Sequence, residues 1–247
     1  MTRALRIVTR LSAALRSRQR WRRYFRLSRR PLHSLIFLLP AVLLYEVGTL
    51  TTSAEYGGGR ELFAHSVIQN LLGWFGLVGS WLPPVVLVVA LLVWHHARRD
   101  PWRVRCPLLP GMLGESLLLA VPLLALSALF EAPPQARLLE ALGAGIYEEL
   151  VFRMLLISGL VWLLVELLRM QRAVALWPAA GLAAVFFALC HFQPFGSEWL
   201  TWKSFWFKLV AGLYLSAVFV GRGLGVAAGC HAAYNVLLVW LRSGGPR

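Results

Sequence analysis

Long apolar blocks alternate along the chain with short polar connections. The pattern predicts seven membrane-spanning helices, at about 32–50, 77–95, 112–130, 138–168, 173–192, 204–221 and 223–241. A helix needs about 20 residues to cross the roughly 30 Å of hydrocarbon in a bilayer. Residues 61–75 alternate polar and apolar side chains and predict an interfacial helix or a re-entrant segment. We therefore expect an all-α, polytopic transmembrane bundle of about seven to eight spans.

The composition supports a membrane protein. Hydrophobic residues make up 58% of the 247 positions and charged residues only 15%, whereas soluble domains are about half apolar and a quarter charged. The sequence shows no internal repeat and no second domain. We expect a basic cytoplasmic tail at 1–31, followed by a single transmembrane domain at 32–241.

The net charge of +14 is concentrated near the N-terminus, where residues 1–30 hold 11 arginines and no acid. A basic tail beside an apolar span is typical of the cytoplasmic side and of affinity for anionic lipid. Apolar residues recur at helical spacing in the tail and predict an amphipathic helix on the inner leaflet; they are Leu5, Val8, Leu11 and Leu15. Because no nucleic-acid recognition fold follows, the expected partner is the lipid bilayer and not a nucleic acid.

The basic residues also predict the orientation. With the N-terminus inside, 18 basic residues fall on the inner side and six on the outer side, which agrees with the positive-inside rule. We expect a multi-pass protein of the plasma (inner) membrane with a cytoplasmic N-terminus. The first span then acts as a retained signal anchor.

Ionisable residues inside a span are costly and are therefore candidates for function. The fourth block contains Glu148, Glu149 and Arg153. At about 100° per residue, Glu149 and Arg153 lie on one helix face and are expected to form an ion pair. Glu148 points elsewhere and has no local partner, so it is the candidate general base or acid.

Two later blocks contain histidines. The fifth ends with Phe187 and His191, four residues apart, and the seventh contains His231 and Asn235, also four apart. If these helices surround one cavity, then Glu148, the two imidazoles and the amide can hold a water and stabilise an oxyanion. Glu148, His191 and His231 are also acceptable zinc ligands, and three such ligands plus water make a catalytic zinc site. The residues alone leave both chemistries open.

The motifs E-E-x-x-x-R, F-x-x-x-H and H-x-x-x-N, in this order on successive spans, resemble those of the CPBP family of intramembrane peptidases. This family includes type II CAAX prenyl proteases and the Abi-like proteins linked to bacteriocin processing. The resemblance covers roughly residues 110–241, with the motifs in about 138–241. It implies an intramembrane endopeptidase in which Glu148 and His191 activate water, and His231 and Asn235 form an oxyanion hole, bind metal, or both. Glu149, Arg153 and Phe187 would support the site.

The resemblance implies a membrane-embedded or lipid-anchored protein or peptide as substrate. It leaves open whether a divalent metal such as zinc or a metal-free glutamate mechanism operates. A prenylated C-terminal tetrapeptide, a bacteriocin leader and a C-terminal sorting anchor all remain candidate substrates. The alternatives are a non-catalytic immunity or scaffold protein and a proton-coupled transporter, although the spans lack the paired, broken halves typical of transporters. With the predicted orientation, the cavity is expected to open towards the non-cytoplasmic half of the membrane.

Overall fold

The chain folds into a helical bundle. The computed structural model describes residues 19–56, 62–130, 138–196 and 198–243. Within them the helices are α1 (19–28), α2 (Pro31–Tyr56), α3 (Phe63–Gly73), α4 (Leu82–Ala97), α5 (Leu109–Phe130), α6 (Leu138–Glu148), α7 (Ser158–Leu168), α8 (Arg172–Leu189), α9 (Trp202–Arg222) and α10 (Leu224–Arg242). A π-helical segment, Glu149–Ile157, joins α6 to α7. The described residues form no strand beyond one isolated bridge between Phe192 and Glu198, which confirms the all-α prediction.

Each of the seven predicted spans corresponds to an apolar helix of the described residues, although one of these helices is short. Six helices of the described residues are long and apolar enough to cross a membrane. The predicted span at 77–95 is α4, which has 16 residues and is about 24 Å long at 1.5 Å per residue, and the ion pair of Arg30 with Asp100 places its C-terminal end at the level where α2 begins. Pro83 and Pro84 near its start fit the first turn of a helix, where their missing N–H groups are not needed, so the helix begins five residues later than expected. The protein is a multi-pass integral membrane protein.

The polar segment at 61–75 forms the 11-residue helix α3, which packs against α4 and α6. Its His65 is only 8% exposed, and its ring lies edge-on against that of Tyr147. His33 and His95 are likewise buried. The predicted amphipathic tail helix falls within residues 1–18, outside the described residues, and the boundary at residue 31 stays a prediction.

Helix α10 is the central helix of the bundle. Its span is 61% buried, whereas no other span exceeds 39%, and it packs against α2, α5, α6 and α9. Gly145 allows the closest of these contacts, because a Cβ placed there would lie 2.4 Å from the backbone of Ala232. This close approach matters because Gly145 and Ala232 lie beside two candidate site residues, Glu148 and His231.

One end of the bundle is rich in arginine, and we call it the arginine end. There Arg222 pairs with Glu115 and donates to Ser28 at 2.8 Å. Arg30 pairs with Asp100 at 3.3 Å. These contacts join α1, α5, α9 and the segment after α4, so they place those helix ends at the same level. We call the opposite end the cavity end, because the cavity described below lies there.

Candidate active site

The two adjacent glutamates stand where the regular α-helix gives way to the π-helix. Glu148 is the last residue of α6, and Glu149 begins the π-helical segment. Such segments are rare and frequently occur at functional sites, because the widened turn redirects side chains. Both glutamates are buried, Glu148 at 7% exposure and Glu149 at 0%. The sequence predicted one continuous helix here and gave no sign of the π-helical turn.

The Glu149 carboxylate contacts two side chains, the guanidinium of Arg153 and the imidazole of His231. Its Oε1 lies 3.1 Å from Arg153 Nη1, which is the ion pair expected from the four-residue spacing. The same oxygen lies 2.8 Å from His231 Nδ1 on α10. Because an ionised carboxylate can only accept hydrogen bonds, His231 donates through Nδ1. The Nε2 atom of a neutral His231 then carries a lone pair, and the ring is fixed in orientation.

Arg153 is enclosed by groups that suit a buried guanidinium. Its side chain is 1% exposed, and Nη2 donates to the carbonyl oxygen of Gly212 at 3.3 Å. The guanidinium carbon lies 4.2 Å from the ring centre of Phe187, a distance typical of a cation–π contact. Phe187 therefore connects the arginine to the fifth predicted span, where His191 lies.

His191 lies just beyond the last residue of α8. Its Nδ1 is 2.7 Å from the carbonyl oxygen of Phe187, and because a carbonyl only accepts, Nδ1 carries the proton. Burial, reinforced by the positive charge of Lys208, lowers the pKa of His191 well below its ordinary value. His191 is therefore neutral at pH 7 and presents a lone pair at Nε2. The backbone folds tightly after it, since a Cβ at Gly196 would lie 2.1 Å from the carbonyl oxygen of His191.

Glu148 lies between the two imidazoles. Its Oε1 is 3.9 Å from His191 Nε2, and its Oε2 is 3.9 Å from His231 Nε2. These distances are too long for direct hydrogen bonds. Two hydrogen bonds of about 2.8 Å that meet at one water oxygen at an angle of about 90° span about 4 Å, so the gaps admit a bridging water. The carboxylate and two oriented nitrogen lone pairs thus face one small space.

A cavity of about 1010 Å³ adjoins this space. Its walls include Glu148, His191, His231 and Asn235, together with Phe187. Asn235 Nδ2 donates to the carbonyl oxygen of Ala141 at 3.1 Å, and since an amide nitrogen has two N–H donors, the second can serve a ligand. The structure therefore brings all four predicted catalytic residues to one cavity, while their roles stay predictions.

Comparison with known proteins identifies the part of the chain that contains this site. Residues 131–237 match the family model described as "Type II CAAX prenyl endopeptidase Rce1-like". This part of the chain is similar to that peptidase family. The match covers a little under half of the 247 residues and includes every candidate site residue. Comparison with curated proteins and with solved structures gave no match.

The Rce1-like segment has suitable donors for zinc but not a suitable arrangement of them. Among the described residues, no group of three or more His, Cys, Asp or Glu side chains could hold a metal ion. Ligands around a tetrahedral zinc with bonds of about 2.0–2.2 Å lie roughly 3.3–3.5 Å apart, whereas Glu148 lies 3.9 Å from each imidazole. The predicted ligand set Glu148, His191 and His231 therefore does not fit a tetrahedral zinc in this arrangement.

Sequence reasoning missed one ion pair in the Rce1-like segment. Lys208 Nζ lies 2.9 Å from Glu198 Oε1, and both residues line the cavity. Lys208 is only 8% exposed, although the sequence placed it among the outer basic residues. Its position six residues inside an apolar helix was the available signal, because a lysine at that depth needs a partner.

Proposed function

We propose that the protein is an intramembrane endopeptidase that hydrolyses a peptide bond with a water activated by Glu148. Similarity of residues 131–237 to a CAAX endopeptidase family supports the reaction class. The observation that carries the proposal is the position of Glu148, 3.9 Å from two imidazole nitrogens whose tautomers are fixed by Phe187 and Glu149. A buried carboxylate without a direct ion partner is suited to exchange protons with a substrate.

In the proposed first step, a water donates one hydrogen bond to the Glu148 carboxylate and the other to the Nε2 lone pair of His191. Glu148 takes one proton from this water, and the oxygen forms a bond to the carbonyl carbon of the substrate. The electron pair of the C=O bond moves to oxygen and gives a tetrahedral oxyanion. The second N–H of Asn235 is in place to donate to that oxyanion, as donors of this kind do in other acyl transfers.

In the second step the proton returns. Protonated Glu148 gives it to the amide nitrogen, the C–N bond breaks, and an amine and a carboxylic acid leave. Glu149 and Arg153 touch no reacting atom and act as positioning residues, because they hold His231 in one tautomer and orientation. Such supporting hydrogen bonds keep catalytic groups in reacting geometry. This mechanism needs no resident metal. Because carboxylate and imidazole groups can also bind zinc, dialysis against a chelator tests for a metal-dependent mechanism.

The test is hydrolysis by purified protein in detergent, where both faces are accessible. One substrate is a farnesylated peptide that ends in a Cys-aliphatic-aliphatic-X sequence, and a second has the same sequence with a lipid anchor at its N-terminus. We expect mass spectrometry to detect cleavage products with the wild type and none with Glu148→Gln. If the wild type cleaves neither peptide, the peptidase proposal fails and a scaffold or transporter takes its place; if Glu148→Gln cleaves as fast as the wild type, Glu148 is not the general base.

A further inference from the structure

The walls of the cavity lie in one half of the bundle. Only the far part of α10 contributes, from His231 to Leu238, and α9 contributes Phe207 to Leu215. Helices α9 and α10 meet at the arginine end, at Arg222 and Leu224. No residue of either helix near that point lines the cavity. His231 lies about 10 Å beyond Leu224 at 1.5 Å per residue.

The directions of the helices show that the residues lining the cavity lie away from the arginine end. Helix α6 runs antiparallel to α10, because Ala141 pairs with Asn235 whereas Glu149 pairs with His231. The cavity residues of α6 therefore lie between mid-depth and the cavity end, from Glu140 to Glu148. The loop 190–198, which joins α8 to α9 at this level, forms a further wall.

The two ends differ strongly in charge. Following the helix directions, thirteen basic described residues lie at the arginine end: Arg20, Arg22, Arg23, Arg26, Arg29, Arg30, Arg98, Arg99, Arg103, Arg105, Arg169, Arg172 and Arg222. Those at the cavity end are Lys203, Lys208 and Arg242. Positive charge in short loops near span ends marks the cytoplasmic side. The arginine end is therefore the cytoplasmic candidate.

Aromatic side chains beside the mouth of the cavity are exposed. Phe195, which lines the cavity, is 66% exposed, and Trp199 and Trp202 are 77% and 78% exposed. Tryptophan in such positions is enriched where a bilayer meets water. A substrate that reaches this mouth therefore meets it at the lipid surface, which favours a peptide with an apolar anchor.

We propose that the cavity opens on the non-cytoplasmic side of the membrane and that its substrates are anchored peptides whose scissile bond is exposed there. The proposal about substrates rests on the proposed peptidase function, whereas the side of opening does not. A prenylated tail on the cytoplasmic face is the competing substrate. It would have to reach Glu148 from the arginine end, where neither α9 nor α10 lines the cavity.

The side of opening can be measured without any activity. In a background of Cys106→Ser, Cys190→Ala and Cys230→Ala, a single cysteine is placed at the mouth by Gln193→Cys or at the arginine end by Arg99→Cys. Both original side chains are exposed, and size-exclusion chromatography checks that each variant is folded. The probe is a membrane-impermeant maleimide added to sealed right-side-out or inverted vesicles.

We expect the Gln193→Cys variant to be labelled in right-side-out vesicles and to lose that labelling in inverted vesicles, with the reverse for Arg99→Cys. Labelling of Gln193→Cys from the cytoplasmic face, alone or together with the outer face, would overturn the proposal.

A second experiment tests the proposal about substrates. The farnesylated peptide and the N-terminally anchored peptide described above are added to the same sealed vesicles. Cleavage only in right-side-out vesicles supports the proposal, and cleavage of the farnesylated peptide in inverted vesicles contradicts it. If the peptides are not cleaved even in detergent, the peptidase function has failed, and the labelling result still decides the side of opening.

Discussion

Replacing each of the two adjacent glutamates by glutamine should have different effects. We expect Glu149→Gln to lower the stability of the protein and Glu148→Gln to lower its activity. Glu149→Gln removes a charge that faces Arg153 at 3.1 Å and His231 at 2.8 Å, with the carboxylate 0% exposed. Arg153 would keep the carbonyl of Gly212, the ring of Phe187 and a neutral amide at position 149, but no negative charge at 3.1 Å. Breaking a buried ion pair from one side typically costs about 3–5 kcal/mol. For a chain of this size that is a fall in melting temperature on the order of 10 °C.

Glu148→Gln should leave the fold intact. No imidazole nitrogen lies closer than 3.9 Å to the Glu148 carboxylate in the described site, so the amide loses no direct ion pair, and we expect stability within about 1 kcal/mol of the wild type. Loss of the general base should reduce turnover by about 10²–10⁴-fold. The double variant Glu149→Gln/Arg153→Gln should be less destabilised than the sum of its singles, because the two side chains interact directly.

The assay is thermal unfolding in detergent together with hydrolysis per folded molecule for all the variants. A folded Glu149→Gln without activity, beside a Glu148→Gln with near-normal turnover, would refute the assignment and exchange the two roles. Loss of stability in both single variants to the same extent would refute the argument from the ion pair.

Three further predictions follow from the packing and the electrostatics. Gly145→Ala should lower stability by about 1–3 kcal/mol, because its Cβ would meet the backbone of α10 at 2.4 Å; in the same unfolding assay Gly159→Ala, with nothing within 4 Å, should not. Lys208→Gln should move the acidic limb of the pH–kcat/KM profile to higher pH, since the lysine charge helps to lower the pKa of His191 and the neutral ring is the active form; an unchanged limb would contradict this. Dialysis against a chelator should leave turnover unchanged, and activity that is lost and then restored by zinc would establish a metal-dependent mechanism instead.

The spans and the helical pair could be predicted because each depends on residues close in sequence. Apolar length identified six of the spans, and the four-residue spacing identified the contact between Glu149 and Arg153. The start of α4 was predicted five residues too early, because the apolar block includes residues 77–81, which precede the helix.

The support of His231 by Glu149 could not be predicted. It joins positions 82 residues apart, and helical periodicity carries no information about which helices pack together. The burial of His65 against Tyr147 and the pairing of Lys208 with Glu198 depend on tertiary contacts in the same way. The family resemblance indicated which polar residues converge. The tautomers of the two imidazoles could be assigned only from the distances of their Nδ1 atoms to Phe187 and Glu149.

The most direct test of the account is the hydrolysis of a lipid-anchored peptide by purified wild type and Glu148→Gln under identical conditions. The account predicts that the wild type cleaves one peptide bond and that the variant, equally folded by thermal unfolding, is slower by at least about 10²-fold. Equal rates for the two folded proteins would contradict the central claim that Glu148 activates the attacking water.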